Sequence, residues 1–252
     1  MKKIALVTGA TSGIGKATVL ALAEDGYNLI ITGRRLELLE ELKNTLQTQF
    51  NTEILLLNFD VRDSNAVKNA VNSIPNDWRD IDVLVNNAGL AVGLNTIQEG
   101  IEDDWERMID TNVKGLLYMT RAISPLMCER KTGHIINICS TAGKEVYPNG
   151  NVYCATKHAV DALSKAMRID MLPYGIKVTN ICPGAVDTEF STVRFKGDAT
   201  RAAKTYDGYQ PLVGEDIANV IRYVVSLPAH VCINDLVITP TAQANATNIV
   251  RK

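Results

Sequence analysis

Ile4–Gly15 reads IALVTGATSGIG. An apolar, β-branched run stops at Thr8, and glycines follow at Gly9, Gly13 and Gly15. The run has the composition of a strand buried on both faces. The glycines let the backbone curve tightly and let a ligand come close. A helix opening near Gly13 offers unpaired N–H groups and a partial positive charge, which is what a pyrophosphate needs. Strand, glycine turn and helix in that order give the pattern its meaning as a dinucleotide site. Gly9, Thr11, Ser12, Gly13, Ile14 and Gly15 are therefore the candidate phosphate-binding turn. The spacing is not G-x-G-x-x-G, since Ala10, Thr11 and Ser12 all lie between Gly9 and Gly13.

The same alternation continues along the chain. Further apolar runs are NLIIT, EILLLNF, DVLVNN, HIINI, KVTNI and DLVIT. Between them lie segments of helical period, at Gly15–Glu24, Leu36–Gln49, Ser64–Ser73, Asp103–Arg130 and Asn151–Leu172. Leu36, Leu39, Leu42 and Leu46, for example, recur every three or four residues, as on one helix face. Strands alternating with helices imply an α/β fold: a doubly wound, Rossmann-type parallel sheet of about seven strands with helices on both faces. No linker, low-complexity tract or internal repeat interrupts the pattern, so residues 1–252 are expected to form a single domain. The polar stretch from Asp187 to Gln210 is the expected substrate lid.

Composition excludes several classes. Of 252 residues, 46% are hydrophobic and 21% charged, and the net charge is −2. No bulk field draws such a chain to nucleic acid or to an anionic membrane. The opening MKKIALVTGA has too short an apolar stretch for a signal peptide. Nothing approaches the roughly 18 apolar residues of a membrane span. A soluble, cytoplasmic protein is expected. Cys128, Cys139, Cys154, Cys182 and Cys232 are scattered and never spaced C-x-x-C, and His134, His158 and His230 form no ligand pattern. All eight are expected to be structural or incidental, with no metal site and no disulfide framework.

The second strand ends in Gly33, Arg34 and Arg35. A site for NAD normally places an acidic residue there, to hold the ribose 2′-hydroxyl. A guanidinium instead pairs with a 2′-phosphate. The expected cofactor is NADP.

Asn151–Val160, NVYCATKHAV, sets Tyr153 and Lys157 one helical turn apart on one face. On the pair alone two readings stand: an interfacial aromatic beside a solvated charge, or an ammonium placed to make a phenol acidic.

The remaining motifs bear on that choice. TGATSGIG, NNAG at Asn86–Gly89, TNVKG around Asn112, INICSTAG with Ser140, YCATK, and PGAVDT at Pro183–Thr188 occur in this order. Over essentially its whole length the chain resembles the short-chain dehydrogenase/reductase superfamily. Within it, TEFSTVRFKGD, SLPAHVCIN and the tail TPTAQANATNIVRK resemble the NADP-dependent 3-hydroxy acid dehydrogenases, also described as serine or L-allo-threonine dehydrogenases. The tail departs from that pattern at Asn245–Asn248, where aromatic and glycine residues are expected.

The resemblance implies roles. Tyr153 is the proton donor or acceptor, Lys157 binds the nicotinamide ribose and acidifies the phenol, and Ser140 holds the substrate oxygen. Asn112 helps position a relay water near Lys157. Asp60 and Val61 flank the adenine, Asn87 lies along the cofactor, and Pro183, Gly184, Val186 and Thr188 contact its nicotinamide end. It also implies a homotetramer, paired through the helices at Asp103–Arg130 and Asn151–Leu172.

The chemistry fits those residue types. Hydride transfer belongs to the cofactor, while the protein supplies position and a proton. A free phenol has a pKa of about 10, so reaching about 7 takes roughly 4 kcal/mol of phenolate stabilisation. A shielded ammonium nearby can supply much of that. Ser140 follows the fifth strand, at the sheet edge where such folds bind ligands. A nucleophilic serine is not indicated, because no histidine or acid is placed to activate it. The lid holds Arg194, Lys196, Arg201 and Lys204, and Arg194 is the candidate for binding a substrate carboxylate bidentately. The expected substrate is a small 3-hydroxy acid. The alternatives are a carbonyl or 3-oxoacyl reductase, and a non-catalytic NADP-sensing protein.

Overall fold

The computed structural model describes residues 2–252, and every apolar run singled out above becomes a strand. The strands are β1 (Ile4–Val7), β2 (Asn28–Gly33), β3 (Ile54–Asn58), β4 (Ile81–Asn86), β5 (His134–Ile138), β6 (Lys177–Pro183), β7 (Val186–Asp187), β8 (Leu212–Val213) and β9 (Asp235–Ile238). Seven of them form one parallel sheet in the order β3-β2-β1-β4-β5-β6-β9. The two-residue strands β7 and β8 pair separately.

The helices are α1 (Gly13–Glu24), α2 (Leu36–Gln49), α3 (Ser64–Asn72), α4 (Glu102–Ile109), α5 (Leu116–Arg130), α6 (Asn151–Met171), α7 (Glu189–Arg194), α8 (Ala199–Ala203) and α9 (Gly214–Ser226). Successive strand residues point to opposite faces, and both faces are covered. Leu6, Ile30, Leu84 and Ile135 meet Val67 of α3, Ile123 of α5 and Val160 of α6. Val7, Ile31, Val85 and Ile136 meet Leu22 of α1, Leu39 of α2 and Ile221 of α9. This double burial is why the strands are apolar throughout. At the edge the rule lapses: β9 alternates, with Asp235 and Val237 exposed. In α2, Leu39, Leu42 and Leu46 are buried as the spacing predicts, whereas Leu36 at its first turn is exposed. No helix of the described residues is long and apolar enough to cross a membrane.

One predicted helix differs. Asp103–Arg130 reads as a continuous helix, but between α4 and α5 the backbone opens into a π-helical turn, Asp110–Gly115. Its causes are tertiary. Asn112 holds both the N–H and the C=O of Leu90 with its side-chain amide, each at 2.8 Å. Gly115 passes so close to Val61 that a Cβ there would lie 2.8 Å from the valine Cγ2. Such widened turns gather at functional sites.

The strand order reverses at β1: β2 and β3 extend to one side, and β4, β5, β6 and β9 to the other. In open α/β sheets ligands bind beyond the strands' carboxyl ends at that switch point, and a cleft lies there.

Candidate active site

The cleft has a volume of about 520 Å³, within the usual range for a ligand site. The glycine turn forms one end. Gly9 and Gly13 have φ of +64° and +51°, a region that favours glycine. Asn87 clamps the turn from below, donating from Nδ2 to the carbonyls of Thr8 and Gly9 at 2.9 and 3.1 Å. Gly15 stands just behind the residues that line the cleft. A Cβ there would stand 2.2 Å from the Gly9 carbonyl oxygen, so its role is to let helix and turn close together. Thr11, Ser12 and Ile14 do line the cleft.

Arg34 and Arg35 edge the same end, partly exposed. Arg35 donates to Thr11 Oγ1 at 2.9 Å and to Glu189 Oε2 at 3.0 Å, which joins the turn to the start of α7. Arg34 lies 3.7 Å from Asp60. Burial works against the Asp60 carboxylate but is outweighed by hydrogen bonds from Arg62 and by the Arg34 charge, so its pKa falls below the usual range. Val61 stands beside Asp60 on the wall, and Pro183, Gly184, Val186 and Thr188 also line the cleft, with Thr188 packed close against Gly13 of the turn.

At the other end Ser140, Tyr153 and Lys157 meet. Ser140 caps a short 3-10 turn, accepting from Ala142 N–H at 3.1 Å. Lys157 is buried, its Nζ donating to the Ile138 carbonyl at 2.9 Å and lying 5.9 Å from the Tyr153 ring centre. Gly89 keeps this corner open: a Cβ there would lie 3.3 Å from Asn112 Oδ1 and 3.6 Å from Lys157 Nζ. Asn112 is thus adjacent to Lys157 but behind the cleft wall, fully engaged with Leu90 and with Thr156 Oγ1.

The electrostatics of the pair differ from the sequence expectation. Burial pushes the Tyr153 phenol up to about 12, and the strongest pull back comes from Arg194, ahead of Ser140. The resemblance to the superfamily assigns that duty to Lys157. Burial also lowers the pKa of Lys157 itself.

Arg194 reaches the cleft from α7. Its guanidinium lies 4.9 Å from the Tyr153 ring centre and 5.2 Å from that of Phe190. Nη2 donates to the Tyr147 hydroxyl at 2.7 Å, and Nε is buried without a partner. Tyr147 and Phe190 were not singled out in the sequence: Tyr147 sits in no motif, and nothing in TEFSTVRFKGD marks the Phe190 ring as a site residue. The segment bearing Arg194 rests on the body of the protein: the Arg194 carbonyl accepts from Gly93 N–H at 3.0 Å. Lys196 pairs with the buried Asp104 at 2.8 Å.

Comparison with known proteins agrees with this geometry. The family model for short chain dehydrogenases matches residues 3–199. The NADP-dependent 3-hydroxy acid dehydrogenase YdfG of Salmonella typhi is 50% identical over 244 residues, 96% of this chain and 97% of the relative. The NADP-dependent 3-hydroxy acid dehydrogenase of Schizosaccharomyces pombe is 39% identical over 251 residues, 99% of this chain and 97% of the relative. Among solved structures, the closed form of serine dehydrogenase complexed with NADP+ superposes with a TM-score of 0.92 at 48% identity, covering 99% of both chains.

Proposed function

This chain belongs to the short-chain dehydrogenase family, and on that premise we propose that it interconverts a small 3-hydroxy acid and its 3-oxo acid. It is an NADP-dependent oxidoreductase acting on CH–OH groups. The residues fit that cofactor. The left-handed glycines and the close approach at Gly15 leave a cradle for the pyrophosphate, and Arg34 and Arg35 stand where an NAD site carries an acid, so that a 2′-phosphate would take over guanidiniums now facing Asp60 and Glu189. When bound, NADP supplies the hydride acceptor, and NADPH the donor.

The chain's own residues do the rest. Ser140 and Tyr153 hold the substrate oxygen between their hydroxyls and stabilise its developing charge. Tyr153 Oη takes the alcohol proton in oxidation and returns it in reduction. Lys157, fixed by the Ile138 carbonyl, adds positive charge beside the phenol and holds the nicotinamide ribose. Asn112 maintains the widened turn and helps place a relay water near Lys157. Asp187–Gln210 is the lid, closing through Lys196–Asp104 and the Gly93–Arg194 hydrogen bond.

One observation carries the substrate class: Arg194 offers a buried, unpartnered Nε beside the Tyr153 ring. A carboxylate separated from the carbinol by one carbon satisfies that group while the substrate hydroxyl sits at Tyr153. The test is a panel of 3-hydroxy acids, including L-serine and L-allo-threonine, and neutral alcohols, each assayed with NADP and with NAD. Turnover confined to the acids, and faster with NADP, is expected. Equal rates on neutral alcohols would reject the acid reading.

The same reading includes a homotetramer. Ile109 and Leu117 around the widened turn and Ile169 on α6 are exposed, as is Leu172 just beyond it. Burying them between subunits removes that apolar surface from water. Light scattering should give four times the chain mass. A monomeric mass at micromolar concentration would exclude this assembly.

A further inference from the structure

Two of the cysteines expected to be incidental stand side by side under the cleft. In the β5–β6 register, Ile135 faces Val178 and Asn137 faces Asn180. Two residues further on, Cys139 comes opposite Cys182, and Cys139 N–H donates to the Ile181 carbonyl at 2.7 Å. Both side chains enter the same hydrophobic cluster as Ile135 and Val178, so they share one face of the sheet. Neighbouring strands lie about 4.8 Å apart, inside the roughly 4.4–6.8 Å range of Cα separations a disulfide spans. Both thiols are free. Cys139 lines the cleft, whereas Cys182 is fully buried behind it, near Asn180 and Asp235.

We propose that Cys139 and Cys182 form an oxidisable pair, converted by hydrogen peroxide entering the cleft into a disulfide that ties the ends of β5 and β6 together. The surroundings divide the labour. A hydrogen bond from Cys182 lowers the Cys139 pKa, burial opposes this, and the Lys157 ammonium adds to the lowering. The Cys182 thiol is pushed up by the same hydrogen bond and by burial, so it keeps its proton. The Cys139 thiolate attacks one peroxide oxygen and the O–O bond breaks. Hydroxide leaves, takes up a proton to become water, and a sulfenic acid remains. The Cys182 sulfur then attacks the Cys139 sulfur. The S–O bond breaks, and the departing hydroxide leaves as water with the Cys182 proton. Two thiols lose two electrons, and one peroxide becomes two waters.

The link reaches the site directly. Cys139 precedes Ser140 and Cys182 precedes Pro183, and the Cys139 thiol donates to the Lys157 carbonyl at 3.2 Å, a contact the disulfide removes. Small misplacements of catalytic groups are costly.

The experiment treats the full-length protein with hydrogen peroxide, blocks remaining thiols under denaturing conditions and maps the peptides. A Cys139–Cys182 linked peptide and an intact mass lower by two hydrogens are expected. Dehydrogenase turnover should fall by about tenfold and return with dithiothreitol. Cys182→Ser should match the parent's turnover before oxidation. After peroxide it should give no linked peptide, with Cys139 carrying two added oxygens and no recovery by dithiothreitol. Recovery of both residues as blocked thiols, or disulfides confined to Cys128 and Cys232, would overturn the proposal. The peptide map needs no substrate, so it stands or falls separately from the 3-hydroxy acid reading.

Discussion

Tyr153→Phe is expected to lower kcat by about 10²- to 10⁴-fold, the contribution of a positioned acid/base, while leaving NADPH binding intact. The substitution removes one oxygen from a buried ring. The edge-on packing against Phe190, 5.7 Å between centres, and the Arg194 stack depend on the ring and remain. Fluorescence titration with NADPH and steady-state turnover measure the two properties separately. A variant that turned over at the parent's rate would remove the phenol from the chemistry.

The pH profile has a definite sign. Oxidation needs the phenolate, and reduction needs the phenol. Burial raises the phenol to about 12, so at neutral pH the proton-donating form dominates. Oxidation should therefore accelerate with pH, by about tenfold per unit below the apparent pKa, while reduction stays flat and declines only as the phenol ionises. The value of about 12 already contains the pull of Arg194 and Ser140, so an apparent pKa well below it in the oxidation profile measures what the bound cofactor's positive charge adds. An oxidation rate independent of pH, with chemistry limiting, contradicts this assignment.

What could be read from residues alone follows from range. Strands β1 to β6 were legible because burial on both faces demands uninterrupted apolar runs, a local property. The two-residue pair β7 and β8 was not, because two residues carry no periodicity. The widened turn at Asn112 was hidden for a different reason. Its residues, DTNVKG, are mostly weak helix formers, but weak propensity does not specify a widened turn; what opens the backbone is Leu90, Thr156 and Val61, all distant in sequence. The same division holds in the cleft. Helical spacing sets Tyr153 beside Lys157, but spacing says nothing of how deeply a phenol is buried. Nor does it reveal that the cation acting most strongly on it, Arg194, arrives from another helix. Tyr147 and Asp104 carry no motif, and only folding brings them to the lid; Phe190 is part of the lid, but only folding sets its ring against Arg194.

Arg194→Ala is expected to lower kcat/KM for a 3-hydroxy acid by about 10²- to 10³-fold, the usual loss when one partner of a buried charge pair is removed. The guanidinium is surrounded by the rings of Tyr147, Tyr153 and Phe190 and donates to a neutral phenol. Cation–π contacts of this kind are worth about 0.5–2 kcal/mol each, less than a bidentate pairing with carboxylate provides. Ring stacking alone therefore leaves the charge under-compensated and selective for an anion. Removing Arg194 also takes away the strongest pull on the Tyr153 phenol, so every substrate slows to some degree in oxidation. The deciding quantity is a ratio: kcat/KM for the acid divided by that for its methyl ester, parent against variant. If Arg194 binds the carboxylate, the ratio collapses, chiefly through KM. If Arg194 acts through Tyr153 alone, acid and ester fall together, the loss lies in kcat, and the ratio is unchanged. That second result would leave the oxidoreductase chemistry standing and withdraw the acid from the substrate, because nothing else about a half-buried arginine beside a phenol requires a carboxylate to meet it.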